Sequence, residues 1–148
     1  MGTSSGRGYA VLLGFAGLIP FGGLAVAAVI GFAPFGYDPV FGLEAYGATI
    51  LSFLGGIQWG FLLSPGRPAG VRHVPLRFAI GVAPQLLGWA ALLWASPLSI
   101  LILALALLAH LGVDWAAGRD GLAPDWFMSL RTPLSLGAAI SLVAAALL

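Results

Sequence analysis

Residues 44–63 read EAYGATILSFLGGIQWGFLL, a run with one glutamate at its start and no further charge up to Leu63. A helix needs roughly 20 predominantly apolar residues to cross about 30 Å of hydrocarbon. Only a helix or a closed barrel satisfies its own backbone there, so a run of this length is expected to span a membrane as a helix. Inside it Ala48, Ser52, Gly56 and Gly60 recur every four residues, with Gly55 beside the line. Small residues at that spacing let a second backbone approach closely, which in lipid largely replaces the hydrophobic effect as the cohesion between helices. These five residues are therefore the expected helix-packing surface, and this span the most enclosed one. Gly14 and Gly17 upstream, and Gly81 and Gly88 downstream, are the expected facing surfaces.

The rest of the chain agrees. Of 148 residues 60% are hydrophobic and 7% charged, the net charge is +1, and the mean hydropathy is +1.04. A soluble domain carries about 25% charged residues, so a soluble enzyme, a nucleic-acid binder and a disordered regulator are all excluded. Cysteine, lysine and asparagine are absent, which removes disulfides, thiolate metal sites, Schiff-base chemistry and N-glycosylation. Heavy use of alanine and glycine with arginine-only basicity points to a bacterial source.

Five spans are expected, at residues 9–32, 44–63, 75–95, 97–117 and 133–148, forming one all-α polytopic membrane domain after a short tail at residues 1–8. Ser96-Pro97 and Thr132-Pro133 each place a hydroxyl residue at an N-cap and proline at the first helical position. The stretch from Ala123 to Leu130 reads as a separate interfacial helix beginning at Pro124. The first span is too long for the apolar core of a signal peptide, so cleavage after Ala27 is not expected.

With five spans, Arg7, Arg67, Arg72, Arg77, Arg119 and Arg131 all fall at one membrane face. The positive-inside rule makes that face cytoplasmic, with the N-terminus inside and the C-terminus outside. There the arginines meet Asp114, Asp120 and Asp125, whereas the opposite face carries Asp38 and Glu44. Arg67, Arg72, Arg77, Arg119 and Arg131 are the expected contacts to lipid headgroups. Tyr9, Trp59, Trp115 and Trp126 toward one end, and Tyr37, Tyr46 and Trp94 toward the other, form two aromatic belts.

Polar groups inside a membrane are the first places to look for function. Gln58, Gln85, His110 and Asp114 make up the candidate polar site, with His110 and Asp114 at i, i+4 on one helix face. Two readings stay open: a small polar path or pocket, or interhelical hydrogen bonds plus an ordinary interfacial aspartate. The two histidines are poorly placed to share one iron, no metal-ligand spacing exists, and no cofactor is expected. Gly2-Thr3-Ser4-Ser5-Gly6 matches a nucleophile-elbow pattern, but without the strand and helix that the elbow requires it is a chance match. No catalytic residue is identified.

The run Tyr46–Gly60, the earlier Gly17-Leu18-Ile19-Pro20, and the later Pro124–Phe127 with Leu130–Leu134 resemble the membrane family known as domain of unknown function 3429. Its mitochondrial relatives are called transmembrane protein 69. The likeness covers roughly residues 10–148. Family members often have histidine at position 58, where this chain has Gln58, and a neutral polar residue at position 110, where it has His110. The resemblance implies an inner membrane and suggests a link to energy-transducing complexes. The leading expectation is a non-catalytic accessory or assembly subunit of a larger membrane complex, in contact with lipids and other integral membrane proteins and with no nucleic acid. A carrier or channel for a small solute, ion or lipid is the alternative, and a pigment- or quinone-associated protein the third reading.

Overall fold

The computed structural model describes residues 3–148, with side chains from residue 6 onward. Of the chance match at residues 2–6, Gly2 lies outside the described residues and residues 3–6 form the start of a helix, not the strand-to-helix turn that a nucleophile elbow needs. The elements in chain order are α1 (Thr3–Ala16), α2 (Leu18–Val29), a 3-10 turn (Pro34–Gly36), α3 (Pro39–Leu63), α4 (Val74–Trp94), α5 (Pro97–Arg119) and α6 (Asp125–Ala146). Among the described residues, five helical stretches are long and apolar enough to cross a membrane, α1 and α2 together supplying the first as Gly6–Val29. The protein is an all-helical, multi-pass membrane protein.

Helix boundaries follow local chemistry. Asp38 caps α3 by accepting from the Val40 amide at 2.9 Å, and Pro39 takes the first helical position. Ser96 and Ser99 form a reciprocal capping box at the start of α5, as the Ser96-Pro97 pair predicts. At the other end of α5, Gly121 adopts φ +72° and the Leu122 amide reaches back to the Ala117 carbonyl at 2.9 Å. That left-handed closure is cheap only for glycine.

One expectation is refined and one corrected. The first span is present as Gly6–Val29 but has a local irregularity at Gly17, because Pro20 has no amide to give the Ala16 carbonyl and its ring crowds that turn. The Gly17 amide is shared between the Leu13 and Gly14 carbonyls, and its own carbonyl accepts the Tyr46 hydroxyl at 3.0 Å. The last span does not begin at Thr132-Pro133. Helix α6 starts at Asp125 and runs through Pro133, absorbing the expected interfacial helix. Thr132 bonds back to the Met128 carbonyl at 3.0 Å instead of capping. The merged helix is about 33 Å long at 1.5 Å per residue, enough for a full crossing.

Three helices share one core. Helix α5 buries Ile100, Leu103, Leu107, His110, Asp114 and Ala117, and α6 buries Met128, Arg131, Ser135, Ala138, Leu142 and Ala145. Both sets alternate steps of three and four, the seam of helices packed at a shallow angle. Helix α3 presents Glu44, Ala48, Leu51, Gly55, Gln58 and Leu62 in the same rhythm. Helix α4 packs beside α3 with Gly81, Pro84, Gly88 and Ala91 buried and Phe78 against Trp59, and α1–α2 lies along α3 and α6.

The close α3–α4 approach uses part of the expected ridge. A Cβ on Gly55 would stand 2.2 Å from the Gly81 carbonyl oxygen, and one on Gly88 would stand 3.1 Å from that of Ala48. Gly56 and Gly60, however, have nothing within 4 Å of a would-be Cβ and face outward. Four residues advance a helix by about 40° beyond a full turn, so an i+4 line drifts off the seam, whereas Ala48 and Gly55, seven apart, stay on it. Ser52 is half-buried and bonds back to the Ala48 carbonyl at 2.9 Å. Gly14 faces Leu130 and Leu134 of α6 rather than α3.

Candidate functional site

Because the seams of α3, α5 and α6 coincide, the polar residues on them meet. The Gln58 amide nitrogen donates to Asp114 Oδ1 at 2.6 Å, and Arg131 Nε donates to Asp114 Oδ2 at 2.8 Å. His110 Nε2 stands 3.9 Å from Asp114 Oδ1, too long for a hydrogen bond. Exposure is 4% for Gln58 and His110, 1% for Asp114 and 6% for Arg131, so the cluster is sealed from the outside. One carboxylate thus ties three helices together, each oxygen taken by a donor from a different helix.

Burying a charge in this setting is costly unless it is paired and hydrogen-bonded. Asp114 meets that condition fully and Arg131 only in part. Arg131 Nη2, His110 Nε2 and Ser135 Oγ are buried without a hydrogen-bond partner. Ser135 stands one turn beyond Arg131 on the same face of α6, so two of the three orphan groups are neighbours.

The sequence expectations divide accordingly. Gln58, His110 and Asp114 do converge. Gln85 does not: it is exposed on the outer side of α4, and no hydrogen bond reaches it among the described residues. Arg131, expected at the headgroups, is the buried counter-ion of Asp114, because its position belongs to the seam of α6. Arg67, Arg72 and Arg119 are exposed at the arginine-bearing end. Arg77 is half-buried there, donating from Nε to the Arg72 carbonyl at 3.2 Å and from Nη2 to the Asp120 carboxylate.

A second polar layer was missed. Glu44, read as a surface charge, is 2% exposed and accepts a hydrogen bond from the Ser99 hydroxyl of α5. Helix α3 begins at Pro39, five residues ahead of the expected start, which carries Glu44 inward. About 21 Å of helix separates Glu44 from Gln58 at 1.5 Å per residue. Leu51, Leu54, Leu103, Leu107 and Leu142, all nearly inaccessible, fill the space between the two layers.

Comparison with known proteins places this architecture. Transmembrane protein 69 of Xenopus tropicalis is 38% identical over 140 residues, covering 90% of this chain and 52% of that protein. Transmembrane protein 69 of Mus musculus is 37% identical over 136 residues, covering 90% of this chain and 54% of its own length. The chain therefore spans about half the length of these relatives. No solved structure matches it. The model of the family described as protein of unknown function (DUF3429) matches residues 7–147, and the chain belongs to that family.

Proposed function

We propose that the protein is a non-catalytic accessory or assembly subunit of a larger, energy-transducing complex in the bacterial inner membrane, with its arginine-bearing face toward the cytoplasm. One observation carries this reading. Gln85 is the twelfth residue of the 21-residue helix α4, at mid-span, and its amide faces outward without a partner among the described residues. A polar side chain in hydrocarbon calls for a hydrogen bond from a neighbouring helix. Since α4 packs within the chain along one narrow stripe, its outer surface suits a helix of another membrane protein.

A photo-crosslinking amino acid placed at position 85 in native membranes tests the reading. The expected product is one discrete adduct with a different integral membrane protein, lost from co-purification in Gln85→Leu. Crosslinks to lipid alone, or to a second copy of this chain alone, overturn it. The carrier reading finds less support, because the polar layers at Glu44 and Asp114 are separated by the leucine layer rather than joined into a path.

A further inference from the structure

At the arginine-bearing end of the bundle α5 closes with Arg119 and α6 opens with Asp125, and a pocket of about 400 Å³ lies between the two helices. That volume is within the about 300–1,000 Å³ range of small-molecule sites. Trp115 and Arg119 line it from α5, and Asp125, Ser129 and Thr132, about one turn apart on one face, line it from α6. Arg119, Asp125 and Ser129 are exposed and Thr132 is half-buried, so a ligand in the pocket reaches them. Although opposite charges line this one pocket, neither Arg119 nor Asp125 has an ion-pair partner among the described residues. The Ser129 and Thr132 hydroxyls donate to the Asp125 and Met128 carbonyls at 3.3 and 3.0 Å, which leaves their oxygens as acceptors. Deeper in the membrane the same two faces turn apolar, with Gly112 and Leu108 exposed on α5 and Leu136 on α6. Nothing stands within 4 Å of a would-be Cβ on Gly112, so the surface is open beneath Trp115. From Arg119 to Leu108, and from Asp125 to Leu136, each helix descends about 16 Å, half of the roughly 30 Å hydrocarbon core.

We propose that this pocket binds the head of a phospholipid that carries a primary ammonium, with an acyl chain laid past Gly112 toward Leu108 and Leu136. The Arg119 guanidinium donates to the phosphate, the anion whose geometry it matches. The ammonium donates to the Asp125 carboxylate and the Ser129 oxygen. Both α6 groups accept, so they call for an N–H donor, which a quaternary ammonium lacks. A head with a phosphate and no amine satisfies Arg119 but sets a second negative charge beside Asp125. The zwitterion alone matches both charges and leaves the pocket neutral. Trp115, half exposed one turn inward from Arg119, stands where an interfacial ring packs against the glycerol and upper chain. The general headgroup contact expected of Arg119 thereby becomes one half of a selective site. The inference is independent of the subunit role, which rests on the outer face of α4.

The test uses the full chain in a mild detergent, titrated separately with dioleoylphosphatidylethanolamine, dioleoylphosphatidylcholine, dioleoylphosphatidylglycerol and the soluble head glycerophosphoethanolamine, with bound ligand counted by native mass spectrometry. The ethanolamine lipid is expected to saturate at one tight site per chain, ahead of the choline and glycerol lipids, with the soluble head far weaker. Arg119→Gln and Asp125→Asn should each weaken it roughly three- to tenfold, the worth of one hydrogen bond. Asp125→Asn should also erase the preference over the glycerol lipid, since the repelling carboxylate is gone. Arg72→Gln, at the same end but outside the pocket, should leave binding unchanged. Equal or tighter binding of the choline or glycerol lipid, or of the soluble head, overturns the proposal. So does the absence of a saturable site, a preference retained in Asp125→Asn, or an equal loss in Arg72→Gln. The two pocket variants change exposed side chains on different helices, so the test stays decisive should one of them fail to fold.

Discussion

Asp114 and Arg131 form an ion pair inside the bundle, Nε to Oδ2 at 2.8 Å with the carboxylate 1% exposed. Removing one partner leaves the other as an uncompensated buried charge, at a cost of about 3–5 kcal/mol. Asp114→Asn and Arg131→Gln should each lower stability by that order, read from unfolding in mixed detergent micelles. The triple variant Asp114→Leu with Arg131→Met and Gln58→Leu should recover most of the loss, because apolar replacements of similar volume carry no desolvation penalty and leave no buried amide without its acceptor. A triple variant as unstable as the two losses combined would show that the pair is not the source of the effect.

Gln58 contributes a different term. Its amide gives Asp114 Oδ1 a hydrogen bond at 2.6 Å, and a bond to a charged group is worth about 1.5–3 kcal/mol. Gln58→Leu should lose that amount, while Gln58→His, which retains an N–H donor, should lose less. Equal losses in the two variants would mean that packing at position 58 matters and its donor does not.

At the α3–α4 contact two adjacent glycines should behave oppositely. A methyl at Gly55 collides with the Gly81 carbonyl, so Gly55→Ala forces the helices apart, at about 1–3 kcal/mol. Gly56→Ala meets nothing within 4 Å and removes a flexible residue from a helix interior, so it should be neutral or stabilising by up to about 1 kcal/mol. Melting temperatures of the two variants in one detergent decide the matter, and a larger loss at Gly56 would contradict the packing.

Much of this fold was legible in the sequence, for a physical reason: hydropathy and capping are local. All five spans and the Ser96-Pro97 start of α5 follow from residues within one helix turn of each other, whereas the meeting of Gln58 with Asp114 does not, because it depends on how α3 and α5 are turned against each other. What failed depended on which face of a helix is buried. Arg131 and Glu44 were assigned to the surface because they are charged and near expected span ends. Arg131, however, shares a three-and-four spacing with Ser135, Ala138, Leu142 and Ala145, and that stripe was readable. His110 and Asp114 sit likewise on the stripe of Leu103, Leu107 and Ala117. The four-residue glycine ladder misled because small residues permit close packing without specifying where it occurs.

Glu44 and Ser99 give the last prediction. Ser99 is bonded both to the Ser96 backbone in the capping box and to the Glu44 carboxyl, so one hydroxyl joins the start of α5 to α3. No cation faces Glu44 among the salt bridges of the described residues, so a neutral amide of the same shape can replace it without orphaning a charge. Glu44→Gln should therefore be close to neutral, in contrast to Asp114→Asn, where Arg131 is left behind. Ser99→Ala removes both contacts at once but leaves Ser96 capping the Ser99 amide, so the capping box loses one hydrogen bond, about 0.5–1.5 kcal/mol, plus the loss of a partner for Glu44. In Ser99→Ala combined with Glu44→Leu the second penalty disappears and only the cap loss remains. Thermal unfolding of these four variants beside the parent separates the two contributions, and a Glu44→Gln loss as large as that of Asp114→Asn would place an unseen positive partner at Glu44.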